Sequence, residues 1–270
     1  MMKDALTSRK NPLVQRARAV REGREAGAVF VEGVRLCEDA LRAYVGFELV
    51  LHTQALASDE RGARLLEELR AVCDAVRLVS EDVLESVSDT KTPQGLAAVA
   101  RRPETGREVI ERAAGTPLVV VMHRANNPSN AGAMLRVAEA AGATAVIVTK
   151  GSADPLSAKA LRGSMGSAFR LPLWTGATFE EALQWCSSRG IRAVATAAWA
   201  PSTHTELDWT PPRAVVVGPE AGGLTEVEAR AAADCVRIPM RPPVESLNVA
   251  TALAVILYEA ARQRNFKFQL

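Results

Sequence analysis

The chain of 270 residues is short of the side chains that metal and thiol chemistry draw on. Its three histidines (His52, His123, His204) and four cysteines (Cys37, Cys73, Cys186, Cys235) are scattered. No paired spacing of a zinc site or a disulfide framework is formed, which excludes both and leaves no metal to expect. With no signal-peptide pattern at the start, the expectation is a reducing cytoplasm and free, mostly buried thiols. No apolar run approaches the roughly 20 residues of a membrane helix. Charge of one sign is lacking too: 33 Lys and Arg against 31 Asp and Glu give a net +2, so no global basic field advertises nucleic acid. Neither G-x-G-x-x-G nor a P-loop occurs, which argues against a hydride-transfer cofactor. Internal repeats and low-complexity tracts are missing as well.

What is there is ordinary globular material, 48% hydrophobic and 24% charged, long enough for one large domain or two ordinary ones. Charge is unevenly placed. The N-terminal arm carries Lys3, Arg9, Lys10, Arg16, Arg18, Arg21 and Arg24 against Asp4, Glu22 and Glu25, a local cationic surface that either attracts phosphate or is a solvated helix face. A polar seam at 101–112 divides the chain into an N-terminal domain (1–100), a linker (101–115) and a C-terminal domain (116–270).

In the first part, short apolar runs at 28–31, 47–51, 76–79 and 96–99 predict strands. Residues 34–43 predict a helix, as does the spacing of Leu65, Leu66, Leu69 and Val72. Turn chemistry fills 88–95. Together these make a small α/β sandwich. In the second part, continuous apolar runs at 118–122, 145–148, 191–196, 214–217 and 235–238 suit parallel strands buried on both faces. Helical patterns at 132–141, 179–187 and 226–233 lie between them. A last helix starts near Asn248, with Val249, Leu253, Ile256, Leu257 and Ala260 in one stripe. Ligands of open parallel sheets bind beyond the carboxyl ends of the strands, so the residues just after these runs carry the functional reading.

Three such stretches hold more glycine, asparagine and proline than simple connections need. In 126–136, Asn130 is a candidate helix cap, Gly132 permits close backbone approach, and Arg136 falls about one turn into the helix, within reach of a substrate phosphate. In 218–224, a glycine-rich strand-to-helix turn offers backbone groups to a flat heterocycle, and Glu220 adds a carboxylate. The third runs from Ile238-Pro239-Met240 through a proline-rich loop to Ser246-Leu247-Asn248. Ser246 and Asn248 are both good helix caps, so either alone reads as structural.

Taken together, in this order and spacing, the three stretches resemble the signature motifs of the SpoU (TrmH) family, RNA ribose 2′-O-methyltransferases of the SPOUT superfamily. The resemblance covers about 118–264. The N-terminal part is similar to the RNA-binding substrate domain often attached to that family, through Thr7-Ser8-Arg9-Lys10-Asn11-Pro12, Val31-Glu32-Gly33-Val34-Arg35 and the 88–95 turn. The fold so implied is α/β: a C-terminal trefoil-knotted parallel-sheet methyltransferase domain plus a small N-terminal α/β ribosomal-protein-like domain. The resemblance implies S-adenosylmethionine as cofactor, held by Thr196, Ala197, Gly218, Glu220, Ile238, Met240 and Leu247. It implies a catalytic group of Asn130, Arg136, Glu220, Ser246 and Asn248, a homodimer with Leu253, Leu257 and Tyr258 of the final helix as candidate contributors, and structured RNA as substrate, ribosomal rather than transfer RNA. Arg9, Lys10, Arg35, Lys159 and Arg162 are candidate RNA contacts, with Arg170 in the same segment.

The reaction so implied is displacement at a sulfonium methyl by a ribose 2′-hydroxyl, which must lose its proton. A guanidinium is a poor base, so Arg136 is expected to grip the target phosphate and stabilise developing alkoxide, while the proton leaves through phosphate or water. Two departures from the family pattern stand out: Asn126-Asn127-Pro128 where an aspartate usually precedes the proline, and Gly-Pro-Glu-Ala in the second motif, where proline removes an amide donor. The rival readings are a catalytically silent RNA-binding protein of the same fold and a Rossmann-type enzyme. Retention of Arg136, Glu220, Ser246 and Asn248 argues against the first, and the missing dinucleotide fingerprint against the second.

Overall fold

The computed structural model describes residues 5–264; Lys3 and Asp4 of the N-terminal arm lie outside them. The chain forms two compact units, one of Met1–Pro103 with Leu156–Arg170, the other of Glu104–Pro155 with Leu171–Leu270.

In the first unit α1 (Pro12–Arg21) starts where Asn11 caps the amide of Leu13 and Pro12 supplies a preset φ. There follow β1 (Ala28–Glu32), α2 (Val34–Arg42), β2 (Phe47–His52), α3 (Gln54–Ser58), α4 (Glu60–Val72), β3 (Val76–Leu78), α5 (Glu81–Val87) and β4 (Leu96–Arg101). The sheet order is β1-β4-β2-β3, antiparallel except for the parallel β2–β3 pair. Val14, Val20, Phe30, Leu49, Leu51, Val83, Leu84 and Val99 fill one core cluster with Ala158.

Ala158 belongs to a segment expected within the 116–270 domain, which packs in the first unit instead. The physical reason is a buried charge. The Glu32 side chain is only 3% exposed and accepts from Ser88 Oγ, from Thr90 Oγ1 (2.7 Å) and from the amide of Asp89 (3.0 Å). Arg162, which follows Ala158 by one helical turn, brings Nη1 to 3.6 Å from the same carboxylate and binds Asp89 through Nη2. A buried carboxylate needs such partners, and they draw the 156–170 segment in.

In the second unit α6 (Arg107–Ile110) precedes β5 (Leu118–Met122), α7 (Pro128–Ala140) and β6 (Ala145–Thr149). The short helices α8 (Ala158–Ser164) and α9 (Ser167–Arg170) of the segment just described intervene. Then come β7 (Leu173–Ala177), α10 (Phe179–Ser188), β8 (Arg192–Thr196), β9 (Ser202–Thr203), β10 (Arg213–Val217), α11 (Glu226–Ala231), β11 (Asp234–Arg237) and α12 (Val249–Gln263). The seven strands are parallel in the order β7-β6-β5-β10-β8-β11-β9. β5, β6 and β10 are buried at every residue, as continuous apolar runs require. The strands β7 and β9 were not expected from sequence: the first is interrupted by Gly176 and the second has two residues. Helices α10 and α11 each begin with a capping box, Thr178 with Glu181 and Thr225 with Glu228. At the far end of α12, Arg264 donates to the carbonyls of Thr116, Pro117, Trp209 and Pro211.

All four cysteines are free, three of them buried and Cys235 half-buried. Burial pushes the Cys186 thiol up to about 12 and that of Cys37 higher still. Among the described residues no cluster of three or more His, Cys, Asp or Glu could hold a metal, and no helix is long and apolar enough to cross a membrane.

Candidate active site

The carboxyl ends of β5, β10, β8 and β11 open into a cleft of about 690 Å³. Its lining contains Asn130, Glu220, Ser246 and Asn248, together with Thr196, Ala197, Gly218, Ile238, Met240 and Leu247. Every residue named from sequence as catalytic or cofactor-binding is therefore in this one cleft, with a single exception, Arg136.

A chain of amide contacts joins the three motif stretches. Asn248 caps α12, its Oδ1 accepting from the amides of Ala250 (2.9 Å) and Thr251 (3.3 Å). That fixes which way its amide faces, and its Nδ2 donates to Asn130 Oδ1 at 3.1 Å. Asn130 in turn must present Nδ2 to Glu220, which it does at 3.1 Å from Oε1. The Glu220 carboxylate also accepts from the amides of Asn126 and Asn127, each at 3.3 Å. Neither asparagine orientation in this relay is free, because a flip of either amide would oppose two donors or two acceptors.

The cap of α7 differs from the sequence expectation. Asn127, not Asn130, is the cap: its Oδ1 accepts from Ser129 and Asn130, and Pro128 occupies the first helical position. The helix so begins earlier, Asn130 falls in its first turn, and its side chain is released for Glu220 and Asn248. Asparagine caps as well as aspartate, so the Asn126-Asn127 departure leaves the helix start intact. Arg136 then lies more than two turns into the helix, not one. Six positions from Asn130 turn it about 240° around the axis. It is exposed, outside the cleft lining and without an intrachain partner among the described residues.

The glycine turn holds Glu220 by its backbone. A Cβ on Gly218 would come within 2.6 Å of the amide nitrogen of Leu224, so that position admits no side chain. Gly222 has φ +87°, in the left-handed region that glycine tolerates. Pro219 gives no amide, but its carbonyl accepts from Gly223 at 3.1 Å and closes the turn. Glu228 of α11 meets His123 Nε2 (3.1 Å) and Arg124 just beyond β5, tying the start of α11 to that strand end.

The sequence reading missed Trp199, Arg237 and Glu245 in the lining. A signal existed for Trp199, an aromatic residue just beyond a strand end, and for Arg237, at the end of a predicted strand; none marked Glu245. The basic candidates divide. Arg9, Lys10, Arg35 and Lys159 of the first unit are exposed. Arg162 is engaged with Asp89 and Glu32, and Arg170 with Asp39. Much of the N-terminal arm is also committed: Arg16 to Glu25 and Glu48, Arg21 to Glu22 and the carbonyls of Val87 and Ser88, Arg24 to Glu22.

A parallel α/β sheet with a loop-built cleft at its carboxyl end, polar at one side and apolar at the other, is the form of a group-transfer enzyme with a nucleoside cofactor. Residues 117–258 match the SpoU rRNA Methylase family model, and the chain belongs to that family. Residues 11–98 match an MRM3-like substrate binding domain. The chain is 34% identical to an uncharacterized tRNA/rRNA methyltransferase, slr1673, of Synechocystis, over 96% of this chain and 94% of the relative. It is 29% identical to the 23S rRNA (guanosine(2553)-2′-O)-methyltransferase RlmP of Bacillus subtilis, over 88% and 90%. The structure of the SpoU methyltransferase AviRb of Streptomyces viridochromogenes in complex with AdoMet superposes with a TM-score of 0.84 at 28% identity, covering 95% of this chain and 99% of that one.

Proposed function

We propose that the protein methylates the 2′-hydroxyl of a ribose in ribosomal RNA, using S-adenosylmethionine bound in the cleft at the carboxyl ends of β5, β10, β8 and β11. The observation that carries this reading is the relay Asn248–Asn130–Glu220, which joins all three motif stretches at one wall of that cleft. The lining fits the cofactor chemically. Backbone groups of the glycine turn and of Thr196 and Ala197, with Ile238, Met240 and Leu247, suit a nucleoside, while Glu220 and Glu245 suit a cation.

Bound there, S-adenosylmethionine supplies an activated methyl group. The chain's own part is to hold the ribose in line and receive its proton. Asn130 and Asn248, fixed in orientation, present their remaining N–H groups to the hydroxyl or its developing charge. Glu220 and Glu245 are the carboxylates of the lining; Glu220, next to Asn130 in the relay and held by three N–H donors, is the one we assign to receive the proton. Arg136, exposed on α7, acts by gripping RNA phosphate. Ser246 completes the ribose side.

The reading extends to the rest of the chain. The first unit binds RNA through Arg9, Lys10, Arg35 and Lys159, whereas Arg162 braces that unit. The enzyme works as a homodimer in the cytoplasm, and the C-terminal chain is threaded as a trefoil knot. On α12 Leu253 and Leu257 are fully buried within the chain; of the residues named from sequence Tyr258 alone is half-exposed, and with Val255 it supports an interface there. Labelled S-adenosylmethionine with total RNA, followed by nucleotide-resolution mapping of ribose methylation, tests the function. A single 2′-O-methylated position in ribosomal RNA is expected. Label confined to transfer RNA would move the substrate, and label on protein or DNA would end the reading.

A further inference from the structure

Trp199 is out of place by ordinary packing rules. Of the four tryptophans, Trp209 is fully buried, Trp185 is 5% exposed, Trp174 is half-buried against Trp185, and Trp199 is 51% exposed. Yet it stands on a pinned piece of backbone. The amide of Ala200 bonds the carbonyl of Ala197 at 3.1 Å and closes a tight turn just beyond β8. The amide of Ala197 is held by the carbonyl of Val236 in β11 (3.1 Å). Arg237 grips the carbonyls of Ala200 and Pro201 from the other side, and β9 then pairs with β11. Its neighbours in the turn, Ala197, Ala198 and Ala200, are too short to cover the indole. A rigid turn that presents a bare indole as a wall of the cleft is a stacking surface without its partner.

We propose that Trp199 binds the adenine of the cofactor, its indole stacking on the base at the end of the cleft remote from the reacting groups. This rests on the reading that the cleft takes S-adenosylmethionine. Position selects the ligand part. Asn130 follows β5, and Glu220, which follows β10, turns its carboxylate onto the amides of Asn126 and Asn127 beyond β5. Trp199 follows β8, on the other side of β10 and about 10 Å from β5 across the sheet. Ile238 and Met240, beyond the adjoining β11, make the nearby lining apolar. The charged residue at this end, Arg237, is committed to backbone carbonyls. An uncharged, flat heterocycle fits here. A methyl donor with a cationic sulfonium fits the Glu220 end. One ligand spanning both ends satisfies both.

The test is calorimetric binding of S-adenosylhomocysteine and of 5′-methylthioadenosine, which keeps the adenosine but lacks the amino-acid end. It is paired with iodide quenching of tryptophan fluorescence, compared between the original protein and Trp199→Ala so that the signal of Trp199 is separated from that of half-buried Trp174. Trp199→Ala is expected to weaken both ligands about tenfold or more, by the same factor, while Trp199→Phe stays within about threefold of the original protein. Either ligand should shield the quenchable tryptophan in the unmodified protein. Unchanged affinity in Trp199→Ala, or a tryptophan still open to iodide in the complex, overturns the proposal. So does a loss confined to RNA affinity, which would place a base of the substrate on the indole. If the unmodified protein bound neither ligand, the cofactor reading itself would fall and the stacking role with it.

Discussion

Asn248 Nδ2 donates to Asn130 Oδ1 at 3.1 Å, while Asn248 Oδ1 caps α12. One side chain thus does two jobs with its two atoms, and the two can be separated by substitution. Asn248→Asp keeps a good cap and loses the donor, placing a carboxylate oxygen against the Asn130 carbonyl. Melting temperature should stay within about 2 °C, and methyl transfer should fall about 100-fold as Asn130 is misplaced. Asn248→Ala loses both atoms, and should lower stability by about 1 kcal/mol besides. Parallel thermal melts and rate assays check both. An active Asn248→Asp protein would show that the relay has no catalytic part.

Glu220 receives three N–H donors, from Asn126, Asn127 and Asn130, and it lines the cleft. Glu220→Gln keeps the shape but sets an NH2 against at least one of those donors and removes the proposed proton acceptor. The expected result is a kcat lower by about 100-fold or more. Binding of S-adenosylhomocysteine should change far less, by under about tenfold. If kcat held and only binding suffered, Glu220 would be a cofactor ligand and the proton would leave elsewhere.

The site was legible in the sequence to the extent that its residues follow strand ends. Gly218, Glu220, Ile238 and Asn248 are each placed by a strand or helix boundary that apolar periodicity marks well. Asn130 was reached for a different reason, as a cap, and the signal that corrects it was present: Asn127 followed by Pro128 is the stronger helix start. What could not be read was long-range. Glu32 and Arg162 are 130 positions apart, nothing local says that they meet, and so the 156–170 segment was expected with the parallel sheet. Glu245 lies in the proline-rich loop before α12, where no periodicity marks which side chain faces the cleft, and Arg237, at the end of a predicted strand, was passed over beside Ile238.

That same pair separates bracing cations from binding ones. Glu32→Ala leaves the half-buried Arg162 and the hydroxyls of Ser88 and Thr90 without their shared acceptor, and should destabilise the chain by about 3–5 kcal/mol in urea unfolding. Arg162→Ala should also lower stability, because Glu32 then keeps its burial without a nearby cation. Arg9→Ala and Lys10→Ala, by contrast, remove exposed cations and should leave stability within about 0.5 kcal/mol. They should weaken RNA binding and reduce the slope of log K against log salt by about 0.7–0.9 for each phosphate that is no longer neutralised. A salt slope unmoved by either exposed cation, but reduced by Arg162→Ala, would reverse the assignment.

Acid should act on the last turn of α12. Arg262 donates twice to Glu259, at 2.8 Å each, and Gln263 adds a third hydrogen bond at 2.7 Å. These hold the Glu259 carboxyl at about 2, well below its ordinary 4.5, against the opposing pull of burial. Gln263 also supports the 207–209 stretch, donating to the carbonyl of Leu207 and accepting from the amide of Trp209. With the folded-state value below the unfolded one, the carboxylate's stabilising contribution is complete above pH 4.5 and is lost as pH falls toward about 2. The exposure of Arg262 to solvent keeps that contribution small. Glu259→Gln should therefore be less stable than the original chain at neutral pH, and the gap between their unfolding midpoints should narrow between pH 4.5 and 2. A gap that stayed constant across that window would mean that the carboxylate's charge contributes nothing, and that only the shape of the side chain orients Gln263.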